Sequence, residues 1–208
     1  MKRIEHREDI YPFQFVEYVP EGAGDGLPLI IQLHGAGERG DDLSLVDVHG
    51  FSKTLAKEDI NARFIMPQCP KETFWAARVE SIVRLVELLI KDFNADPDRV
   101  YLTGLSMGGF GTWYTAMARP DLFAAIVPVC GGGMPWNAVT LTMPVKAFHG
   151  VRDAIVSVNH SDEMVAALKK GGRNVEYVRS EEYGHNVWEI AYNRELADWM
   201  LSKKRIHA

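Results

Sequence analysis

Gly104-Leu105-Ser106-Met107-Gly108 is a Gly-x-Ser-x-Gly segment, and its serine is the residue best placed in this chain for covalent chemistry. A serine hydroxyl is a weak nucleophile at neutral pH. It needs a general base, and the base needs a carboxylate to hold its tautomer. The short motif alone is weak, but its setting strengthens it. The apolar run Val100-Tyr101-Leu102 precedes it and a helix-compatible stretch follows, so the serine is expected on a sharp strand-to-helix turn. Gly104 and Gly108 leave room for backbone to pack around that turn. The helix start would aim free N–H groups at the reacting oxygen.

At such a turn the acid and then the base follow later in the chain. Beyond Ser106 the chain has His149, His160, His185 and His207. His207 is in the tail, His160 opens a helical pattern, and His149 ends an apolar run before Gly150. His185, in Glu182-Tyr183-Gly184-His185-Asn186 between the last strand and the last helix, is the expected base. Asp153, shortly after Phe148-His149-Gly150, is the expected acid, because Asp162 and Glu163 fall later, on a helix. The backbone N–H groups of Met107 and of Ala36, in Leu33-His34-Gly35-Ala36-Gly37, are the expected oxyanion donors. The competing readings are a turn cap for Asp153 and a structural role for His185.

Trp75 and Trp188, near predicted strand ends, are the leading candidates for substrate contact, ahead of Phe110 and Trp136; core packing is the alternative for each. His34 and His149 read as core histidines bonded to backbone. No spacing of His, Cys or acidic residues suggests a metal site, and the chemistry outlined needs no metal or cofactor. Cys69 and Cys130 are too few for a disulfide framework and read as buried thiols, with a single disulfide left open.

These side chains need elements to position them. Continuous apolar runs at 27–33, 62–66, 100–102, 124–129, 144–148 and 175–178, each stopped by Gly, Pro or polar residues, read as strands buried on both faces. Phe13 to Val19 alternates like a further strand. Ile82, Leu85, Val86, Leu89 and Ile90 share one face of a helix, and their stripe is core. Met107 to Ala118 predicts a second helix, Ser161 to Leu168 a third, and Leu196 to Met200 a last one, broken near Asn193. Strands alternating with helices predict an α/β fold with a mostly parallel sheet flanked by helices, no large lid, and a site beyond the carboxyl ends of the strands. Pro20 to Pro28 reads as a hairpin or a connection. The irregular stretch 35–55 starts at a strand end and is expected to shape a pocket.

The 208 residues fit one domain, 1–208, with 47% apolar and 25% charged residues, an ordinary globular composition. Lys and Arg total 23 and Asp and Glu 28, a net charge of −5. That balance lacks the basic footprint of a nucleic-acid binder and does not attract anionic membranes. No apolar run could span a bilayer, and the N-terminal MKRIEHREDIYPF lacks the apolar core of a secretion signal, so a cytoplasmic location is expected. The sequence leaves a homo-oligomer open.

LHGAGERG at 33–40, PQCP at 67–70, GLSMGGFGTW at 104–113, FHGVRD at 148–153 and YGHNVW at 183–188 together resemble the α/β-hydrolase superfamily. Within it, the chain looks like the small lidless serine esterases of the phospholipase/carboxylesterase and dienelactone-hydrolase-like group. That group includes bacterial "predicted peptidase" and polyhydroxybutyrate-depolymerase-like members. The resemblance covers about 27–201 and implies Ser106 as nucleophile, Asp153 as acid, His185 as base, and Ala36 and Met107 as oxyanion donors. Dienelactone hydrolases use a cysteine where this chain has Ser106, which points to ordinary ester hydrolysis of small-molecule substrates. A serine peptidase on the same three residues and a non-catalytic binding module are the other readings.

Overall fold

The computed structural model describes residues 1–205, so His207 lies outside the described residues. In chain order the main elements are β1 (Lys2–His6), β2 (Phe15–Val19), β3 (Leu29–Leu33), the short α1 (Ser52–Leu55), β4 (Arg63–Pro67), α2 (Val79–Asp92), β5 (Val100–Leu105) and α3 (Met107–Ala118). There follow β6 (Ala125–Val129), β7 (Val145–Gly150), α4 (Asn159–Lys170), β8 (Val175–Ser180), α5 (Trp188–Ala191) and α6 (Arg194–Leu201).

All eight strands form one sheet, ordered β1-β2-β4-β3-β5-β6-β7-β8. From β4 to β8 every neighbour pair is parallel, whereas β1 and β2 pair antiparallel. The central strands β3, β5 and β6 are buried along their whole length, which is why they read as unbroken apolar runs. β1, with sequence KRIEH and two exposed positions at its start, is a polar edge strand that the apolar pattern did not reveal. The Pro20–Pro28 segment is a connection and not a hairpin, because β2 pairs with β1 and β4 and not with β3.

Helices cover both faces of the sheet. Leu29, Ile31 and Leu33 of β3 point into a core shared with Ile82 and Leu85 of α2, Trp113 of α3 and Met164 of α4. Ile30, between them, points the other way, toward Phe51, Leu55 of α1, Leu196 and Met200. This alternation follows from the two-residue period of a strand. Asn193 caps α6 by accepting a bond from Leu196 N–H at 2.9 Å, so the expected break divides α5 from α6. Among the described residues no helix is long and apolar enough to cross a membrane.

Candidate active site

Ser106 links β5 to α3 with φ of 54° and ψ of −116°. A non-glycine residue at positive φ costs on the order of 1–3 kcal/mol and persists only when its surroundings enforce it. Here the Ser106 N–H donates to Val129 O at 2.9 Å, and the flanking glycines allow the approach of backbone. A methyl group on Gly108 would sit 2.0 Å from Leu33 O, and one on Gly104 would sit 2.3 Å from Gly108 O. The turn is thus wedged against the end of β3, where the Ala36 loop begins.

The three candidate side chains meet above the carboxyl ends of β5, β7 and β8. His185 Nε2 lies 2.9 Å from Ser106 Oγ, and His185 Nδ1 lies 2.7 Å from Asp153 Oδ2. An ionised carboxylate only accepts, so Nδ1 carries the imidazole proton and Nε2 is free to accept from the serine hydroxyl. Asp153 Oδ1 also accepts from the N–H groups of Ile155 and Val156, each at 2.9 Å. Burial alone would raise the Asp153 carboxyl; the bond from His185 and the two backbone donors outweigh it and hold the carboxyl below its usual range. The turn-cap reading of Asp153 thus describes one of its oxygens, while the other holds the imidazole.

Ala36 opens a one-turn 3₁₀ helix, Ala36–Glu38, directly after β3, and it is exposed. Met107 is the first residue of α3. First-turn N–H groups have no partner within their own helix. The two turns adjoin, since a methyl on Gly35 would lie 3.8 Å from Ser106 Cβ. His34 anchors the Ala36 loop from below. Its Nε2 accepts from Cys69 N–H at 2.9 Å, which leaves Nδ1–H to donate to Gly35 O at 2.6 Å. Burial pushes this imidazole down to about 4, so the ring is neutral. His34 is therefore the backbone-bonded core histidine its position suggested.

The two tryptophans part company. Trp75 is fully buried; its Nε1–H donates to His34 O at 3.0 Å and its ring packs edge-on against Phe13. The expectation of substrate contact at Trp75 is thus corrected. The residue lies beneath the Ala36 loop, because the strand end that places it near the site also turns its ring into the core. Trp188 is half-buried, with its ring centroid 5.2 Å from that of His185, and it also packs against His49. It lines a cleft of about 360 Å³ with His49, Lys53, Thr54 and Tyr192. Phe110 stacks edge-on with His160, and Trp136 is 81% exposed.

Two contacts around Asp153 had no counterpart in sequence spacing. Cys130, at φ of 41°, accepts from Ser106 N–H through Sγ at 3.3 Å. Its sulfur, an Asp153 oxygen and a His185 nitrogen all lie within 4.8 Å of one another. Burial pushes the Cys130 thiol upward, so it stays protonated, a poor donor to a metal. Both cysteines are free and buried. The second contact, from His149, is taken up below. The signal for both was their place at the carboxyl end of a parallel strand, Cys130 just after β6 and His149 at the end of β7, where this topology gathers its polar groups.

The prolyl oligopeptidase family model matches residues 76–133, the segment that carries the serine turn. The poly(3-hydroxyalkanoate) depolymerase C of Paucimonas lemoignei is 31% identical over 137 residues, 61% of this chain and 33% of that protein. A bifunctional acetylxylan esterase/xylanase of Neocallimastix patriciarum is 27% identical over 149 residues, 67% of this chain and 21% of that protein. The chain thus spans a third or less of the length of these two relatives. The crystal structure of a thermostable esterase superposes with a TM-score of 0.81 at 27% identity, covering 98% of this chain and 63% of that one. From its sheet order, its strained serine turn and these likenesses, the chain has the α/β-hydrolase fold.

Proposed function

We propose that this chain is a serine hydrolase that cleaves carboxylic esters of small or medium size through an acyl-enzyme on Ser106. One observation carries the reading: the unbroken relay from Ser106 Oγ to His185 Nε2 at 2.9 Å and from His185 Nδ1 to Asp153 Oδ2 at 2.7 Å. His185 takes the hydroxyl proton as Oγ attacks the ester carbonyl. Asp153 stabilises the resulting imidazolium without taking its proton. The N–H groups of Ala36 and Met107 hold the oxyanion; one such donor is worth on the order of 10²–10³ in rate. His185 then gives its proton to the leaving alcohol. Water, deprotonated by His185, attacks the acyl-enzyme, and His185 returns that proton to Ser106 Oγ as the C–Oγ bond breaks and the acid leaves. The chemistry draws on no metal or cofactor. Trp188, beside the base and half-buried, is the residue through which substrate shape would be felt.

Ester cleavage is favoured by the names of the relatives, a depolymerase and an acetylxylan esterase. The prolyl oligopeptidase match supports a second reading, amide cleavage on the same three residues. A panel of p-nitrophenyl esters and p-nitroanilides separates them. Turnover of p-nitrophenyl acetate or butyrate is expected, lost in a folded Ser106→Ala protein, and a fluorophosphonate probe should label only the wild type. Full activity in Ser106→Ala would end the proposal, and an unlabelled wild type would point to a binding module.

A further inference from the structure

His149, at the end of β7, is fully buried and faces the triad acid. Its Nε2 lies 3.3 Å from Asp153 Oδ2, the oxygen that also receives His185 Nδ1. The same nitrogen lies 2.9 Å from Val156 O. A carbonyl only accepts, so Nε2 carries a proton and donates it to Val156 O, with Asp153 Oδ2 3.3 Å from the same nitrogen. Nδ1 lies 2.7 Å from Ser161 Oγ, which in turn lies 2.9 Å from Gly131 O. Burial lowers the His149 imidazole. The Ser161 hydroxyl donates its one proton to Gly131 O, so its oxygen faces Nδ1 without donating to it.

We propose that His149 is a positioning residue for the acid of the triad: its Nε2–H donates to Asp153 Oδ2 and keeps that oxygen turned toward His185 and weakly basic. Asp153 then has four donors, two backbone N–H groups on Oδ1 and two imidazole N–H groups on Oδ2. A carboxylate so held stays ionised and leaves the proton on His185. The titratable groups facing His149 are Asp153, from the loop after its own strand, and His185, from the loop after β8. The Cys130 sulfur, after β6, lies within 4.8 Å of an Asp153 oxygen, and α4 contributes Ser161, whose Oγ lies 2.7 Å from His149 Nδ1. The inference rests on the serine-hydrolase reading for its kinetic arm only.

The test compares wild type, His149→Phe and His149→Gln. A hydrogen bond to a charged group is worth roughly ten- to a hundredfold in rate. His149→Phe is expected to lower kcat for p-nitrophenyl acetate by that factor with KM unchanged. With one donor fewer, the carboxylate binds the imidazolium more strongly, so the acid limb of kcat/KM moves to higher pH. His149→Gln, whose amide N–H replaces the Nε2–H, is expected to restore both. Proton NMR of the resting protein reads the His185 Nδ1–H resonance without substrate; it should move in the phenylalanine variant and return in the glutamine variant. An unchanged rate, limb and resonance in folded His149→Phe overturns the proposal, as does an equal loss in both variants, which marks packing alone. If His149→Phe does not fold, Ser161→Ala, which removes the contact that holds the His149 ring at Nδ1, is expected to move the resonance and the acid limb in the same direction, and no movement refutes it. A wild type that turns over no ester, yet shows the resonance shifts, fails the functional reading and leaves the positioning role standing.

Discussion

Acid should destabilise this protein through His34 before it reaches the carboxylates. The ring is 2% exposed, and burial pushes it from 6.5 down to about 4. The unfolded chain therefore binds a proton that the folded chain refuses. Stability falls as pH drops below 6.5 and stops falling, for this group, below about 4. The slope in that window is about 1.4 kcal/mol per pH unit, so the loss is about 2 kcal/mol by pH 5 and about 3 kcal/mol in full. A protonated ring would surrender the bond from Cys69 N–H and loosen the Ala36 loop. Asp153, held below 3.8, loses its contribution only beneath this window. His149 is lowered too, but it is common to wild type and variant and cancels. The assay is urea denaturation at pH 7, 6 and 5 for wild type and His34→Gln, whose amide oxygen can still accept from Cys69 N–H. The stability gap between them should shrink or reverse by about 2 kcal/mol over that range. A gap constant from pH 7 to pH 5 refutes a buried neutral imidazole under the Ala36 loop.

Other outcomes follow from packing and burial. Gly108→Ala puts a methyl 2.0 Å from Leu33 O and 2.8 Å from His34 O, both backbone; a loss on the order of 3 kcal/mol is expected in a thermal melt. Gly37→Ala, with nothing within 4 Å of the added methyl, is the control and should melt close to wild type. Cys69, pushed up to about 11 by burial, and Cys130, also pushed upward and fully buried, should both resist a thiol reagent in native protein. Both should react once urea unfolds the chain, and native labelling of either would show that its cover opens.

Much of this architecture is legible along the chain because strand burial and helix periodicity are local. α3 runs Met107–Ala118, as the pattern between the serine turn and Pro120 predicts. The order serine, acid, base, each just after a strand, followed from topology, because parallel strands deliver their carboxyl ends to one edge. β1 escaped notice because an edge strand has no apolar face to announce it: its residues are mostly exposed. Trp75 and Trp188 look alike in sequence, both near strand ends. Only the packed structure turns one ring beneath the loop and leaves the other beside His185. The sharing of one Asp153 oxygen by two imidazoles is likewise a tertiary fact. Sequence can assign each residue to a strand end, but distances of 2.7 and 3.3 Å between groups on different loops arise only when the sheet sets those loops side by side.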